Sequence, residues 1–192
     1  MCGILALFGD EVETNSYALS HRGPDDYCTK TLGRCRMDFY RLAINDLTPA
    51  GMQPFKKGKH MLICNGEIYN HKRYRTGIEE GTSDCEVIMP MIKAYGIMNT
   101  VEMLDGDFAF VYTDGNRVLA ARDPIGVRPL FYCRYDIDSI AFASEVKALL
   151  YLNSAIQIFP PGHFYDSYIN DFVCYYSTYW YVNRYIDTVD HE

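Results

Sequence analysis

The stretch that most constrains the fold is GDFAFVYTDGNRVLAARD, which begins at Gly106. Two alternating apolar runs flank Asp114, Gly115 and Asn116, and this is a strong β-hairpin signal. A hairpin joins two antiparallel strands, whereas parallel strands need a long crossover. The sequence therefore predicts at least one antiparallel sheet.

Other segments also predict strands. Gly3–Phe8 is a continuous apolar run typical of a buried strand, and residues 27–44 have strand-like sequence. His60–Cys64 predicts a strand that ends in a tight turn at Asn65 and Gly66. Further strands are expected in the stretches PLFYCRY, SIAFAS and IQIFPPGHFY.

Two segments predict helices. Ser83 and Glu86 match a capping box ahead of apolar residues at helical spacing, and Pro90 should bend or shorten that helix. The segment EVKALLYL, which begins at Glu145, predicts a second helix. The strands come in antiparallel runs interrupted by these helices, so the expected class is α+β, with helices covering antiparallel sheets.

Composition narrows the possible partners and compartments. The formal net charge is −7 and the isoelectric point is near 5.2, so nucleic acid is not an expected partner. No apolar run approaches the roughly 20 residues that cross a bilayer, and no secretory signal is recognisable, so we expect a cytoplasmic protein. The seven cysteines include no C-x-x-C pair, which argues against a disulfide framework or a zinc site.

Cys2 is the cysteine whose position calls for an explanation. If Met1 is removed, Cys2 carries a thiol with a pKa near 8.5 and an α-amine with a pKa of about 7.7–8. The amine can then take the thiol proton and later deliver it to a leaving group. If Met1 is retained, that nitrogen is an amide and no base exists there, and most cysteines beside a start codon have no such role.

Other segments hold candidate residues that are ambiguous when considered singly. Asn65 and the Gly66 N–H have the composition of an oxyanion hole, although Asn-Gly is also a common turn. Arg41 suits bidentate capture of a carboxylate, or it is an edge-strand arginine that faces water. Asp84 lies at a helix start, where an acidic residue is ordinary. In the stretch ARDPIGVRPLFY, the arginines and Asp123 are expected to be structural.

Taken together, these segments resemble the class II glutamine amidotransferases, and above all the N-terminal glutaminase domain of asparagine synthetases. The resemblance runs from Met1 to about Phe164. Its motifs, in chain order, are MCGILALFG, HRGPDD, RLAINDL, CNGEIYNH, SDCEVI, LDGDFAFVYTD, ARDPIGVRPLFY, FASEVKALL and PPGHF.

The resemblance implies an N-terminal nucleophile hydrolase fold, a four-layer α/β/β/α sandwich of two antiparallel sheets between helix layers. It also implies a role for each matching residue, with glutamine as substrate and with neither metal nor cofactor. Cys2 would be the terminal nucleophile, and Asn65 and Gly66 the oxyanion hole. Arg41 would bind the α-carboxylate of glutamine, while Asp84 and Glu67 would bind its α-ammonium group. Arg22 and Gly23 would support the nucleophile and its amine.

The sequence departs from the family pattern in three places. The segment between Asn70 and Ser83 is shorter than the one that family members usually carry. Pro90 falls within a helix that is normally uninterrupted in the family. No SGG-x-DS-type pyrophosphatase loop is present, so a synthetase domain is expected to be absent. Residues 1–192 then form a single amidotransferase domain. Its C-terminal extension, 165–192, is tyrosine-rich, and the stretch YYSTYWYVNRY within it is either a closing strand or a surface for a partner.

Three functions remain open at this point. The first is a glutaminase that hydrolyses L-glutamine to L-glutamate through a Cys2 thioester and passes ammonia to a separate synthetase, as in asparagine synthesis. The second is a stand-alone hydrolase of other γ-glutamyl amides. The third is a catalytically silent binding or scaffold protein.

Overall fold

The computed structural model describes residues 1–44, 47–75 and 83–177. Within these ranges the chain forms twelve β-strands and one α-helix, together with short 3₁₀ turns. The strands are β1 (Gly3–Phe8), β2 (Asp26–Leu32), β3 (Cys35–Arg41), β4 (Phe55–Lys57), β5 (His60–Ile68), β6 (Gly106–Thr113), β7 (Val118–Arg122), β8 (Phe131–Asp136), β9 (Ser139–Ala143), β10 (Gln157–Ile158), β11 (His163–Asp166) and β12 (Asp171–Cys174). The helix is α1 (Ile88–Met103), and the 3₁₀ turns are Ser16–Arg22, Pro49–Gly51, His71–Tyr74, Asp84–Val87, Val146–Ala148 and Leu150–Leu152.

The strands form two six-stranded sheets. The first sheet has the order β10-β8-β9-β1-β3-β2, and the second has the order β12-β11-β7-β6-β5-β4. Neighbouring strands in both sheets are antiparallel. The predicted hairpin is confirmed as β6 and β7, with Thr113 paired to Val118.

The two sheets pack face to face, and strand alternation divides their side chains among three apolar cores. In β1, Ile4 points into the core between the sheets, while Leu5 points to the outer face. Helix α1 covers the outer face of the second sheet, and the outer core of the first sheet includes Leu19 and Leu149, which belong to or adjoin 3₁₀ turns. The predicted four-layer sandwich of antiparallel sheets is confirmed.

The expected helices differ from the observed ones in three respects. The segment that begins at Glu145 forms two 3₁₀ turns instead of an α-helix. Pro90 lies in the first turn of α1, where backbone N–H groups have no helical partner. The lack of an N–H therefore costs no helical hydrogen bond, and the helix continues through Pro90. The non-helical residue is Gly96, with φ of 75°, so the bend is not at Pro90. The α-helix is nonetheless shorter than its capping box predicted, because residues 84–87 form a 3₁₀ turn and α1 begins at Ile88. Glu86 forms an ion pair with Lys57 at 2.6 Å, and Ser83 alone caps the turn.

The tyrosine-rich extension is described only as far as residue 177. Its first part completes β11 and forms β12, which pair as a hairpin at the edge of the second sheet. The stretch YYSTYWYVNRY begins at Tyr175, after β12, and all but its first three residues lie outside the described residues, so its role as a closing strand or a partner surface stays a prediction. Among the helices that the structure describes, none has the length and apolar character to cross a membrane.

Candidate active site

An open cleft of about 670 Å³ lies where the start of β1, the end of β3 and the middle of β5 come together. Six of the eight residues that the sequence singles out line this cleft. They are Cys2, Arg41, Asn65, Gly66, Glu67 and Asp84. These residues lie far apart in the sequence, so it is the fold that brings them together. The other two, Arg22 and Gly23, support residues of the cleft through the contacts described below.

Cys2 directly precedes β1 and packs partly against the core between the sheets. The N–H of Leu42 donates a hydrogen bond to Cys2 Sγ at 3.4 Å, and the thiol donates to Leu42 O at 3.6 Å. With Met1 in place, burial raises the pKa of the Cys2 thiol, and the Leu42 hydrogen bond and the positive charges of the N-terminal amine and Arg41 oppose this only in part. The thiol is therefore protonated at neutral pH and needs a base before it can react.

Arg22 holds the backbone of Cys2. Its Nε donates to Cys2 O at 3.0 Å, and its Nη1 donates to Glu145 at 2.9 Å. The same carboxylate accepts from His21 and Lys147, each at 3.0 Å. Burial tends to raise the pKa of Glu145, but the hydrogen bonds from Arg22, Lys147 and His21 lower it overall. An ionised Glu145 thus fixes the guanidinium that contacts Cys2.

Gly23 sets the distance between the Ser16–Arg22 turn and β3. A Cβ at this position would lie 2.2 Å from Tyr40 O and 2.6 Å from the carbonyl carbon of Arg41. Only glycine permits this approach. Arg41 is the last residue of β3 and is 7% exposed, with its position in the cleft depending on this close packing.

Asn65 and Gly66 lie within β5, so the prediction of a tight turn there is wrong. The strand continues because β6 pairs with it from Met61 to Ile68. Asn65 lies two residues after Ile63 on the same strand, so its side chain faces the same core between the sheets, where Cys2 also packs. The Asn65 side chain is 1% exposed, and its Nδ2 has no hydrogen-bond partner among the described residues. A buried amide donor without a partner is costly, and it points to an oxygen atom supplied by a ligand.

Two acidic residues occupy the other side of the cleft. Asp84 begins the 3₁₀ turn before α1, and its Oδ2 accepts the N–H of Ile68 at 2.6 Å. Glu67 is exposed on β5, and its N–H donates to Asp107 at 3.2 Å. The sequence-predicted residues of the cleft therefore present the Arg41 guanidinium, two carboxylates, a thiol and an unpaired amide donor. This set matches the two charged ends and the side-chain amide of a zwitterionic amino acid.

Arg128 is a cleft residue that sequence reasoning missed. It was expected to be structural, as were Arg122 and Asp123, and that expectation holds for the latter two. Arg122 donates to three backbone carbonyls, and Asp123 accepts three backbone N–H groups of the same loop. This loop directs Arg128 to the cleft, where its Nη2 donates to Asp107 at 3.0 Å. No local sequence pattern separates this arginine from Arg122.

Gln53 also lines the cleft, and sequence reasoning did not anticipate it. Its hydrogen-bond partner Cys64 lies eleven residues away on β5, which no local pattern reveals. Across the parts of the chain that the structure describes, no cluster of three or more His, Cys, Asp or Glu side chains is arranged to hold a metal ion.

The chain is similar to curated asparagine synthetases of the glutamine-hydrolysing type. It is 38% identical to the enzyme of Sandersonia aurantiaca over 94% of this chain and 37% of that protein. It is 39% identical to the probable enzyme of Dictyostelium discoideum over 94% of this chain and 36% of that protein. For the enzyme of Gallus gallus the identity is 40%, over 85% of this chain and 33% of that protein. The chain thus spans about a third of the length of these relatives.

Solved structures share the fold. The glutamine phosphoribosylpyrophosphate amidotransferase of B. subtilis, complexed with ADP and GMP, superposes with a TM-score of 0.70 at 21% identity, over 92% of this chain and 50% of that one. An allosteric regulatory enzyme of purine biosynthesis gives a TM-score of 0.63 at 22% identity, over 92% of this chain and 43% of that one.

A family model described as a glutamine amidotransferase domain matches residues 1–175. This range includes both sheets and every residue of the cleft discussed above. The chain therefore belongs to the glutamine amidotransferase domain family.

Proposed function

We propose that this domain hydrolyses L-glutamine to L-glutamate and ammonia, with Cys2 as the nucleophile after removal of Met1. The observation that carries the proposal is the meeting of Cys2 with the unpartnered amide of Asn65 in one cleft. Met1 is 50% exposed and belongs to none of the described cores, so its removal would leave their packing intact.

The first half of the reaction makes a thioester. The α-amine of Cys2 takes the thiol proton while Sγ attacks the side-chain carbonyl carbon of glutamine. Negative charge develops on the carbonyl oxygen, and the Asn65 amide and the Gly66 N–H stabilise it. The C–N bond then breaks, and the amine returns its proton to the leaving nitrogen, which departs as ammonia.

The second half releases glutamate. Water attacks the carbonyl carbon of the thioester and gives a proton to the same α-amine. The C–S bond breaks, the sulfur recovers its proton, and glutamate leaves. Because burial raises the pKa of the thiol, both halves depend on the amine as a base, and Arg22 holds that amine in place through the Cys2 carbonyl.

Charge complementarity selects the substrate. Arg41 binds the α-carboxylate, while Asp84 and Glu67 bind the α-ammonium group. A ligand lacking either charge would lose the charge-assisted hydrogen bonds at that end. Other γ-glutamyl amides carry the same two charges, so they would be poorer substrates only through the size of their leaving group.

The ammonia is proposed to pass to a synthetase that amidates an acceptor, as the names of the asparagine synthetase relatives suggest. We propose that residues 1–192 act as a single amidotransferase domain toward that partner, which is either a separate protein or another domain. A reducing compartment such as the cytoplasm would keep Cys2 available as a free thiol.

Substitution of the nucleophile tests the proposal. In protein whose mass shows that Met1 is absent, Cys2→Ala should abolish glutamine-dependent ammonia release, because Cys2 is the one cleft cysteine that then carries its own α-amine as a base. Cys28→Ala is the matched control, since Cys28 is also a half-buried free thiol but lies on β2, outside the cleft. Ammonia release that survives in Cys2→Ala would overturn the assignment.

A further inference from the structure

The pairing of β4 with β5 covers His60 to Leu62 and stops just before the part of β5 that lies in the cleft. Its register pairs Phe55 with Leu62, so a ladder continued by two residues would pair Gln53 with Cys64. The ladder stops at Phe55, however, because β4 begins there, directly after Pro54. The Gln53 side chain instead takes the place of the missing strand. Its Oε1 accepts the Cys64 N–H at 2.6 Å, and its Nε2 donates to Cys64 O at 3.1 Å.

This pair of hydrogen bonds reproduces the exchange that two opposed main-chain residues make in an antiparallel ladder. Gln53 is 4% exposed, and both polar atoms of its side chain are used in it. Water therefore competes little for these bonds, and they hold the backbone of Cys64 firmly. Asn65 and Gly66 are the next two residues of β5.

The same edge of β5 explains how the Gly66 N–H reaches the cleft. Along a strand, alternate residues direct their N–H groups to the same side, so the N–H groups of Cys64, Gly66 and Ile68 all point away from β6. Gln53 binds the first of these N–H groups, and Asp84 binds the third at 2.6 Å. The Gly66 N–H lies between these two side-chain partners and faces the cleft.

We propose that Gln53 is a positioning residue for glutamine hydrolysis, which sets the oxyanion donors of Asn65 and Gly66 by fixing the backbone of Cys64. The inference rests on the proposed function. Gln53 acts on the transition state through these donors, whereas glutamine is bound in the ground state by Arg41, Glu67 and Asp84. Its loss should therefore lower kcat and leave KM nearly unchanged.

Gln53→Met tests this, because methionine has a similar length and cannot form either hydrogen bond. We expect kcat to fall by about 10- to 100-fold, as a donor displaced by a fraction of an ångström loses much of its effect. KM for glutamine should stay within about threefold of the parent value. An unchanged kcat, or a rise in KM that accounts for the whole loss, would overturn the inference.

Thr100→Val is the matched control for stability. Thr100 is fully buried and donates one side-chain hydrogen bond to Gly96 O within α1, away from the cleft. This variant should lower the melting temperature and keep the parent kcat. If Thr100→Val lowers kcat as much as Gln53→Met does, the effect of Gln53 is only general destabilisation, and the inference fails.

Gln53→Glu provides a second readout, which also serves if the methionine variant does not fold. A protonated glutamic acid can accept from the Cys64 N–H and donate to its carbonyl, but an ionised one repels that carbonyl. Burial raises the pKa of such a carboxyl. The ratio of its kcat to that of the parent should therefore rise as the pH is lowered, and a ratio independent of pH would count against the inference.

Amide hydrogen exchange separates failure of the inference from failure of the proposed function. The Cys64 amide should exchange faster in Gln53→Met than in the parent, whether or not the protein hydrolyses glutamine. An inactive parent that lacks Met1 would refute the proposed function, and with it the catalytic role of Gln53. Slow exchange at Cys64 in the variant, in an active protein, would refute the inference alone.

Discussion

At the scale of single residues, the cleft separates the charges proposed to bind a substrate from the groups that would act on it. Arg41, Glu67 and Asp84 carry the charges, whereas Cys2 and Asn65 contribute a thiol and a neutral donor. The Asn65 amide has no partner among the described residues, so its desolvation is compensated only when an oxygen arrives. This explains why a polar side chain is retained in a largely apolar interior.

Asp84→Asn should raise KM for glutamine by about 10- to 100-fold with a smaller effect on kcat, since hydrogen bonds to charged groups contribute about 1.5–3 kcal/mol. An asparagine oxygen can still accept the Ile68 N–H, so the local fold should persist. Steady-state kinetics would measure the change. Asp10→Asn, an exposed substitution outside this cleft, should keep the parent KM. A KM unchanged in Asp84→Asn would remove Asp84 from the substrate site.

At the scale of secondary-structure elements, prediction succeeded where the pattern was local. The β6–β7 hairpin and β1 were anticipated because alternation, apolar runs and turn residues are all visible over a few positions. Asn65-Gly66 was misread as a turn, because the local signal cannot reveal that β6 pairs along the whole of β5. Only the family resemblance predicted that Cys2, Arg41, Asn65, Gly66, Glu67 and Asp84 lie in one cleft, and their roles there stay a proposal. Gln53 was missed because its role depends on the register between β4 and β5.

An ion pair joins Asp166, the last residue of β11, to Arg117, the residue before β7. Its contribution to the stability of the fold depends on pH. Arg117 donates to Asp166 through Nε at 2.8 Å and also through Nη2. Burial tends to raise the pKa of Asp166, but the Arg117 hydrogen bonds lower it overall. A carboxyl whose pKa is lower in the folded state stabilises the fold at pH values above its unfolded pKa of about 3.9. This stabilisation is lost as the pH falls through the pKa of the folded state.

Asp166→Asn should therefore lower the free energy of unfolding near pH 7, by about 1.5–3 kcal/mol for a hydrogen-bonded charged group. The difference between parent and variant should shrink as the pH falls below about 4. Urea unfolding at a series of pH values would measure it. A difference that stays constant down to pH 2 would show that the ion pair is not its source.

At the scale of the whole molecule, the site depends on both sheets. Cys2 directly precedes β1 and Arg41 ends β3, both of which are inner strands of the first sheet, whereas Asn65, Gly66 and Glu67 belong to the second. The core between the sheets includes Phe142 from one sheet and Tyr165 from the other, with ring centroids 5.6 Å apart. The packing of this core therefore sets the distance between Cys2 and the donors of Asn65 and Gly66, the proposed nucleophile and oxyanion hole.

The most direct measurement is the mass of the N-terminal peptide after the protein has reacted with glutamine and been quenched in acid. The account predicts a peptide that begins at Cys2 and carries a γ-glutamyl group on its sulfur. A peptide that still begins with Met1 in active protein, or a γ-glutamyl group on Cys64 or Cys85 instead, would contradict it.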